Sequence, residues 1–252
     1  MSATTPGISG PGGSGPRVVA LGGGHGLAAT LQATRLYGGD VTAIVSGADD
    51  GGSSGRLREA FGIPPPGDLR RCLVALGEPD CLWGQVFEHR FDVGELEGHP
   101  VGNLIIAGLA TSTGDFIAAL AEAGRLLGAA GRVVPATSTP VVLKAEAGGN
   151  PVEGQVAVAG TRHISRVSIV PPDAEPPAEA LDALSRAEQI VLGPGSLYTS
   201  VLAVVAVPAL RAALADSSAR KVYVCNLRHQ VPETEGYDVA AHVEALSAHG
   251  LE

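Results

Sequence analysis

Short apolar runs alternate with segments of helical spacing along most of the chain. Four of these runs, at residues 17–21, 41–46, 189–193 and 221–227, are short, β-branched and almost continuously apolar, so they predict buried strands. Helical patterns follow them, the last at residues 237–250. Strands that alternate with helices predict a mainly parallel sheet with helices on both faces, which is a Rossmann-like α/β fold.

Residues 132–171 depart from this alternation. Two short strand patterns occupy residues 132–149, and period-two alternation over residues 153–171 predicts an antiparallel hairpin. We therefore expect a single nucleotide-binding domain over residues 17–252, with a small antiparallel lobe inserted at about 132–171. Residues 1–16 are rich in Gly, Pro, Ser and Thr and have no apolar run, which predicts a disordered tail and excludes a signal peptide.

Composition narrows the classes of function. Hydrophobic residues make up 45% of the 252 residues, which is enough for a sizeable core, and no stretch reaches the ~18 apolar residues of a membrane span. The net charge of −9 argues against a nucleic-acid surface, because phosphate neutralisation needs clustered Lys and Arg. The three cysteines form no CxxC pair, which favours a reduced, cytoplasmic setting.

A first glycine turn, GGGHG, lies between the first strand and its helix. Gly23, Gly24 and Gly26 allow backbone N–H groups and the helix start to face a phosphate. The motif is neither GxGxxG nor a Walker A loop, so a purely structural turn is the alternative. His25 either donates a hydrogen bond to a ligand or faces solvent.

A second glycine turn, LGPGSLYTSV at residues 192–201, has the same arrangement. Gly193 and Gly195 precede Ser196, which either caps the following helix or holds an anion there. Tyr198, in the first turn of that helix, is a further candidate ligand contact. Two glycine turns that lead into two helices of one sheet indicate a ligand with more than one polar centre.

The segment IVSGADDGGSSGRLREAF, at residues 44–61, combines glycines with charged and hydroxyl side chains. Asp49 and Asp50 follow the second strand, where acids hold sugar hydroxyls, bind Mg²⁺ or act as a general base. Ser53 and Ser54 are neighbouring candidates, and Arg56 is a forked donor suited to phosphate. No cofactor or metal is required by these residues; if Mg²⁺ is used, Asp50 is its expected ligand. A solvated turn with locally paired charges is the alternative.

Three more candidates come from other segments. Asp68 follows the prolines at 64–66 together with Arg70 and Arg71, and it either caps a helix or contacts a ligand. Asn103 stands near a helix start with the same two alternatives. Tyr237 follows the last strand, where it could stack on a base or bind a sugar. The sequence contains no recognisable nucleophile–base pair, so no catalytic residue is assigned.

Six blocks in the same order together resemble the YvcK family of bacterial gluconeogenesis factors, relatives of the 2-phospho-L-lactate transferase CofD. They are GGGHGL (22–27), TAIVSGADDGGSSGRLR (42–58), GIPPPGDLRRCLVAL (62–76), PVGNLIIAGL (100–109), LGPGSLYTSVL (192–202) and KVYVCNLRHQVPETEGYD (221–238). The resemblance implies a cytoplasmic Rossmann-like protein that binds UDP-sugars, UDP-N-acetylglucosamine in particular. It also implies a regulator that links carbon metabolism to cell-wall synthesis and cell shape.

The expected partners are the nucleotide-sugar ligand, a protein of cell-wall synthesis and a second copy of the chain, without nucleic acid. Two alternative functions stay open. One is a CofD-type enzyme that transfers a phospholactyl group from a nucleotide diphosphate to a deazaflavin alcohol, with Asp50 as base or Mg²⁺ ligand. The other is an interaction scaffold that folds but is indifferent to nucleotides.

Overall fold

A computed structural model describes residues 14–251 of the chain, so most of the predicted tail, residues 1–13, lies outside the described residues. The described part contains the following strands: β1 (Arg17–Gly22), β2 (Asp40–Val45), β3 (Arg132–Pro135), β4 (Val142–Ala147), β5 (Asn150–Glu153), β6 (Ile164–Val170), β7 (Gln189–Leu192) and β8 (Arg220–Tyr223).

The helices of residues 14–251 surround these strands. They are α1 (Gly24–Thr34), α2 (Gly52–Phe61), α3 (Pro66–Leu76), α4 (Leu82–Glu88), α5 (Val101–Thr113), α6 (Phe116–Leu126), α7 (Gln155–Ala159), α8 (Ala178–Arg186), α9 (Leu202–Val205), α10 (Pro208–Asp216) and α11 (Val239–Ala248). A π-helical turn, Leu197–Val201, leads directly into α9.

A five-stranded sheet in the order β3-β2-β1-β7-β8 forms the centre of the fold, and all its strand pairs are parallel. The predicted α/β fold class is therefore confirmed. The chain moves outward from β1 through β2 to β3 and later returns to the other side of β1 with β7. In open parallel sheets, ligands bind beyond the carboxyl ends of the strands where the order reverses, here beside β1 and β7.

Two hydrophobic cores cover the two faces of this sheet. Alternate residues of β1 point to opposite sides, so Val18 and Ala20 pack under α1, α3 and α6, whereas Val19 and Leu21 pack in the other core. That second core also contains Leu143 and Ile169 of the antiparallel sheet. The antiparallel strands thus share buried surface with the parallel sheet.

The antiparallel lobe differs in detail from the prediction. Arg132–Pro135 belongs to the parallel sheet as β3, beside β2, so the three-stranded antiparallel sheet β5-β4-β6 begins only at Val142. The tight hairpin is β4–β5, and residues 155–159 of the predicted hairpin form α7. A strand buries every second residue, and a helix buries every third or fourth residue. Over a segment as short as α7, these two spacings of apolar residues cannot be told apart.

Membrane-span criteria give one further result for residues 14–251. No single helix there is long and apolar enough to cross a membrane. The segments Leu197–Val205 and Pro208–Asp216, which are bent relative to each other, together have the length and apolar composition of a membrane span.

Candidate functional site

Three helices begin around one polar cleft at the carboxyl edge of the sheet. The cleft has a volume of about 330 Å³. It receives side chains or backbone from the first turns of α2, α3 and α5. Its lining residues are Asp49, Gly51, Gly52, Ser53, Ser54, Gly67, Asp68, Arg70, Arg71, Arg90, Pro100, Asn103 and Gln155. Five of the predicted ligand contacts, Asp49, Ser53, Ser54, Asp68 and Asn103, are therefore brought together here.

The start of α2 supplies backbone donors to this cleft. Gly55 N is the first amide of α2 that donates a helical hydrogen bond, and its acceptor is Gly51 O at 2.9 Å. The amides of Gly52, Ser53 and Ser54 have no acceptor within residues 14–251. Unpaired amides at a helix N-terminus carry partial positive charge and attract anions.

Two carboxylates, Asp49 and Asp68, lie on the same side of the cleft. Asp49 Oδ1 accepts a hydrogen bond from Gly51 N at 3.0 Å, and burial, reinforced by the charge of Asp68, raises the pKa of Asp49. Asp68 accepts from Gly24 N at 2.7 Å and pairs with Arg71 at 2.6 Å. The N-cap of α3 is Pro65, so Asp68 does not cap its own helix but ties α3 to the start of α1.

Three arginines of the cleft were missed as site residues by the sequence reasoning. Arg70 is only 2% exposed, forms an ion pair with Glu88 and donates from Nε to Asn103 Oδ1 at 3.1 Å. Arg71 and Arg90 add two further guanidinium groups to the lining. The position of Arg70 and Arg71 beside Asp68 was a usable signal, whereas nothing in the sequence places Arg90 near them.

A serine–histidine contact also lies at this cleft. Ser53 Oγ is 2.8 Å from His99 Nδ1, and Asn103 Nδ2 donates to Ser53 Oγ at 3.0 Å. Partial burial, with the charges of Arg56 and Arg90, lowers the pKa of His99. His99 is 46 residues away from Ser53, so no local pattern predicts the pair.

The two glycine turns lie against each other, as their proposed shared role requires. A Cβ atom added to Gly26 would lie 2.7 Å from the carbonyl carbon of Pro194 and 3.1 Å from Gly195 N. Thr30 Oγ1 donates to Gly193 O at 2.7 Å and holds the second turn on α1. The absence of side chains at Gly26 and Gly195 allows this close backbone approach.

Internal side chains already accept from several amides of these turns. Asp68 binds Gly24 N, and the side chain of Asn226 binds both Gly195 N (3.1 Å) and Gly195 O (2.7 Å). The amides of His25 and Gly26 have no acceptor within residues 14–251. The role of the glycine turns in phosphate binding stays a prediction, limited to the amides that remain free.

A buried carboxylate occupies the helix start after the second glycine turn. Glu233 Oε1 accepts from Tyr198 N at 2.7 Å and Thr199 N at 3.3 Å, and Oε2 accepts from Thr199 Oγ1 at 3.1 Å. Burial raises the pKa of Glu233, while these donors oppose the rise. Ser196 stands at the N-cap position but makes no cap hydrogen bond; its Oγ accepts from Gln230 Nε2 at 3.0 Å.

The remaining predicted contacts lie outside the cleft lining. Asp50 Oδ1 accepts from Val156 N at 3.0 Å and, with Arg56, borders a neighbouring groove of about 630 Å³ that shares Gly52 with the cleft. His25 is exposed on the first turn of α1. Tyr198 and Tyr237 bond to each other through their hydroxyls at 2.9 Å.

The described residues also bear on the Mg²⁺ alternative. Within residues 14–251 no three His, Cys, Asp or Glu side chains lie together as metal ligands. One carboxylate oxygen of Asp50, Oδ1, already accepts a hydrogen bond from Val156 N in α7. Binding of Mg²⁺ by Asp50 thus stays a prediction that would need phosphate or water oxygens as additional ligands.

These features define the class of protein: a Rossmann-like α/β protein with a polar cleft, lined by three helix starts and three arginines, at the carboxyl edge of the sheet. The chain belongs to the family described as 2-phospho-L-lactate transferase CofD, whose model matches residues 18–251. The resemblance stated from the sequence motifs is confirmed at this level.

Individual relatives are more specific. The chain is 46% identical over 236 residues to the gluconeogenesis factor of Halalkalibacterium halodurans, covering 92% of this chain and 73% of that protein. It is 44% identical over 238 residues to the gluconeogenesis factor of Bacillus subtilis, covering 93% and 75%. A crystal structure of a upf0052 family member from Bacillus halodurans superposes with a TM-score of 0.91 at 44% identity, covering 95% of this chain and 79% of that one.

Proposed function

We propose that this chain binds a nucleotide-sugar in the cleft, with a UDP-sugar such as UDP-N-acetylglucosamine as its ligand, and acts as a cytoplasmic regulator. The single observation that carries the proposal is the convergence of three helix starts and three arginines on one cleft. Helix starts and guanidinium groups are the donors that phosphate oxygens prefer in proteins. Similarity to gluconeogenesis factors supports a role in control of carbon metabolism.

The cleft also offers acceptors for a sugar. The Asp49 carboxylate accepts hydrogen bonds, and Ser53, whose hydroxyl oxygen keeps a lone pair beside its bond from Asn103, also lines the cleft. The neighbouring groove beyond Gly52 provides room for the part of the ligand that a volume of about 330 Å³ does not hold. In the proposal the diphosphate lies on the helix starts, the sugar contacts Asp49, and the ligand-bound form acts on a partner in cell-wall synthesis and cell shape.

Calorimetry with UDP-N-acetylglucosamine, UDP-glucose and UDP tests the proposal. We expect micromolar-range binding that Arg71→Gln weakens, because one of the phosphate donors is lost. Arg125→Gln is the matched control, since it removes the same charge from an exposed ion pair with Glu122 on α6. Asp49→Asn should weaken binding more than Asp50→Asn, because only Asp49 lines the cleft. Absence of heat and of thermal stabilisation with all three compounds, in folded protein, would rule out the proposal.

A CofD-type transferase is the second candidate, favoured by the match of residues 18–251 to the 2-phospho-L-lactate transferase CofD family. In that function the cleft would hold the diphosphate of a guanylylated phospholactate, and a deazaflavin alcohol would be the acceptor. Turnover of that donor with the deazaflavin acceptor would establish it, and the binding data for UDP-sugars would separate it from the regulator.

A further inference from the structure

The hydrogen bonds around Ser53 have a direction that the partners determine. Arg70 Nε has only a proton to offer, so Asn103 must present Oδ1 to it, at 3.1 Å. The amide nitrogen of Asn103 then faces Ser53 Oγ and donates to it at 3.0 Å. His99 Nδ1 lies 2.8 Å from Ser53 Oγ, and it accepts the hydroxyl proton of Ser53 in the tautomer that carries the ring proton on Nε2.

The neutral tautomer of His99 with its proton on Nε2 leaves Nδ1 as the acceptor that faces Ser53 Oγ. Burial, and after it the positive charges of Arg56 and Arg90, lowers the pKa of His99 and so favours the neutral ring. In this tautomer Ser53 directs its proton to a basic nitrogen, and Ser53 lines the cleft, which is the arrangement of an activated nucleophile.

The surroundings of Ser53 select a phosphoryl group as the electrophile. Ser53 lies in the first turn of α2, whose amides of Gly52, Ser53 and Ser54 have no acceptor within the described residues. Arg71 and Arg90 line the same cleft. Such donors stabilise the negative charge that the equatorial oxygens of a transferring phosphoryl group carry.

We propose that the cleft has a phosphoryl-transfer activity in which Ser53 is the nucleophile and His99 is its general base. Ser53 Oγ forms a bond to the terminal phosphorus of a phosphate monoester or nucleoside diphosphate, and the phosphorus–oxygen bond to the leaving group breaks. The Ser53 proton passes to His99 Nδ1 and from there to the leaving oxygen. The oxygen of a water molecule then bonds to the phosphorus of the phosphoserine, and the bond between phosphorus and Ser53 Oγ breaks. The water proton passes through His99 to Ser53 Oγ, and inorganic phosphate leaves.

The activity goes beyond binding, and the test keeps the two separate. The protein is incubated with UDP and, separately, with p-nitrophenyl phosphate; release of UMP or nitrophenol is followed, and the intact protein mass and its peptides are measured after acid quenching. We expect a phosphate adduct on Ser53 of the unaltered protein. Product release should disappear in Ser53→Ala and fall by roughly 10²–10⁴-fold in His99→Asn. Ser185→Ala, an exposed serine on α8, is the matched control and should keep full activity.

A pH profile gives a readout that a structural role of His99 would not change. The rate should fall on the acidic side with a midpoint below the ordinary value for histidine, because the protonated ring cannot accept the Ser53 proton. No phosphoserine, together with equal product release from the unaltered protein and Ser53→Ala, would overturn the inference. If UDP still binds in calorimetry under those conditions, the proposed binding function stands while this inference falls. The mass measurement on the unaltered protein needs no variant, so the stability of Ser53→Ala does not decide the outcome.

Discussion

Substitution of Gly26 by alanine tests the contact between the two glycine turns. Gly26 lies in the first turn of α1, and no positive φ angle is involved there, so alanine suits its backbone conformation. On helix propensity alone, Gly26→Ala should stabilise the protein by up to ~1 kcal/mol. The opposite is expected because the new methyl group would meet the Pro194–Gly195 backbone.

The size of the effect follows from the geometry. The added Cβ would overlap Pro194 O most closely and would lie 2.7 Å from Pro194 C, whereas ordinary contacts begin at 3.4 Å, so the turns would have to separate by more than ~0.7 Å. Overpacking of this kind costs about 1–3 kcal/mol, and separation of the turns also strains the bond from Thr30 to Gly193. After the gain in helix propensity, we expect a net loss of about 1–3 kcal/mol.

Urea unfolding followed by circular dichroism measures this loss. Gly108→Ala is the matched control: Gly108 is an exposed position within α5, and a Cβ there meets nothing within 4 Å. That variant should gain about 0.5–1 kcal/mol. Equal stabilisation by both substitutions would show that the turns do not touch, and the argument for a shared site at the sheet edge would fail.

Three further predictions concern buried titratable groups. Glu233→Ala should lower the unfolding free energy by about 2–5 kcal/mol because three donors lose their acceptor. In the same urea titration, Glu233→Gln should change the unfolding free energy by no more than about 1 kcal/mol. Equal losses in the two variants would contradict the assigned hydrogen bonds. Asp49→Asn should stabilise the protein at pH 7 and lose this advantage at pH 3, because the raised pKa of Asp49 means that its ionised form is disfavoured by folding; reduced stability at pH 7 would refute this. His249 Nε2 accepts a hydrogen bond from Val167 N at 3.1 Å, and burial lowers the pKa of His249. As the pH falls below ~6.5, His249 is therefore protonated in the unfolded chain before it is protonated in the folded protein. Its contribution to stability is complete above that pH and is lost as the pH falls towards the folded pKa; an NMR titration midpoint of His249 at or above ~6.5 would contradict it.

Local patterns accounted for most of the fold. Apolar runs of five to seven residues located β1, β2, β7 and β8. The strands β1, β2 and β7 are buried, as a parallel strand covered on both faces requires, whereas the predicted buried strand at 221–227 is the edge strand β8, which has no buried residue. The two glycine turns lie side by side because parallel strands bring their carboxyl ends to one edge. The lobe was less predictable: β3 belongs to the parallel sheet, and one predicted strand segment is α7.

What the sequence by itself determined was the sheet, its helical layers and the edge where polar residues collect. Hydrophobic periodicity and turn chemistry act between neighbours in the chain, so they can be read locally. Only the tertiary structure decided which polar groups remain free for a ligand. Gly24 N meets a carboxylate 44 residues away, Tyr198 N meets one 35 residues away, and Ser53 meets His99 across 46 residues. Such partners are selected by the packing of whole elements, because a buried donor bonds to whichever acceptor the fold brings within reach.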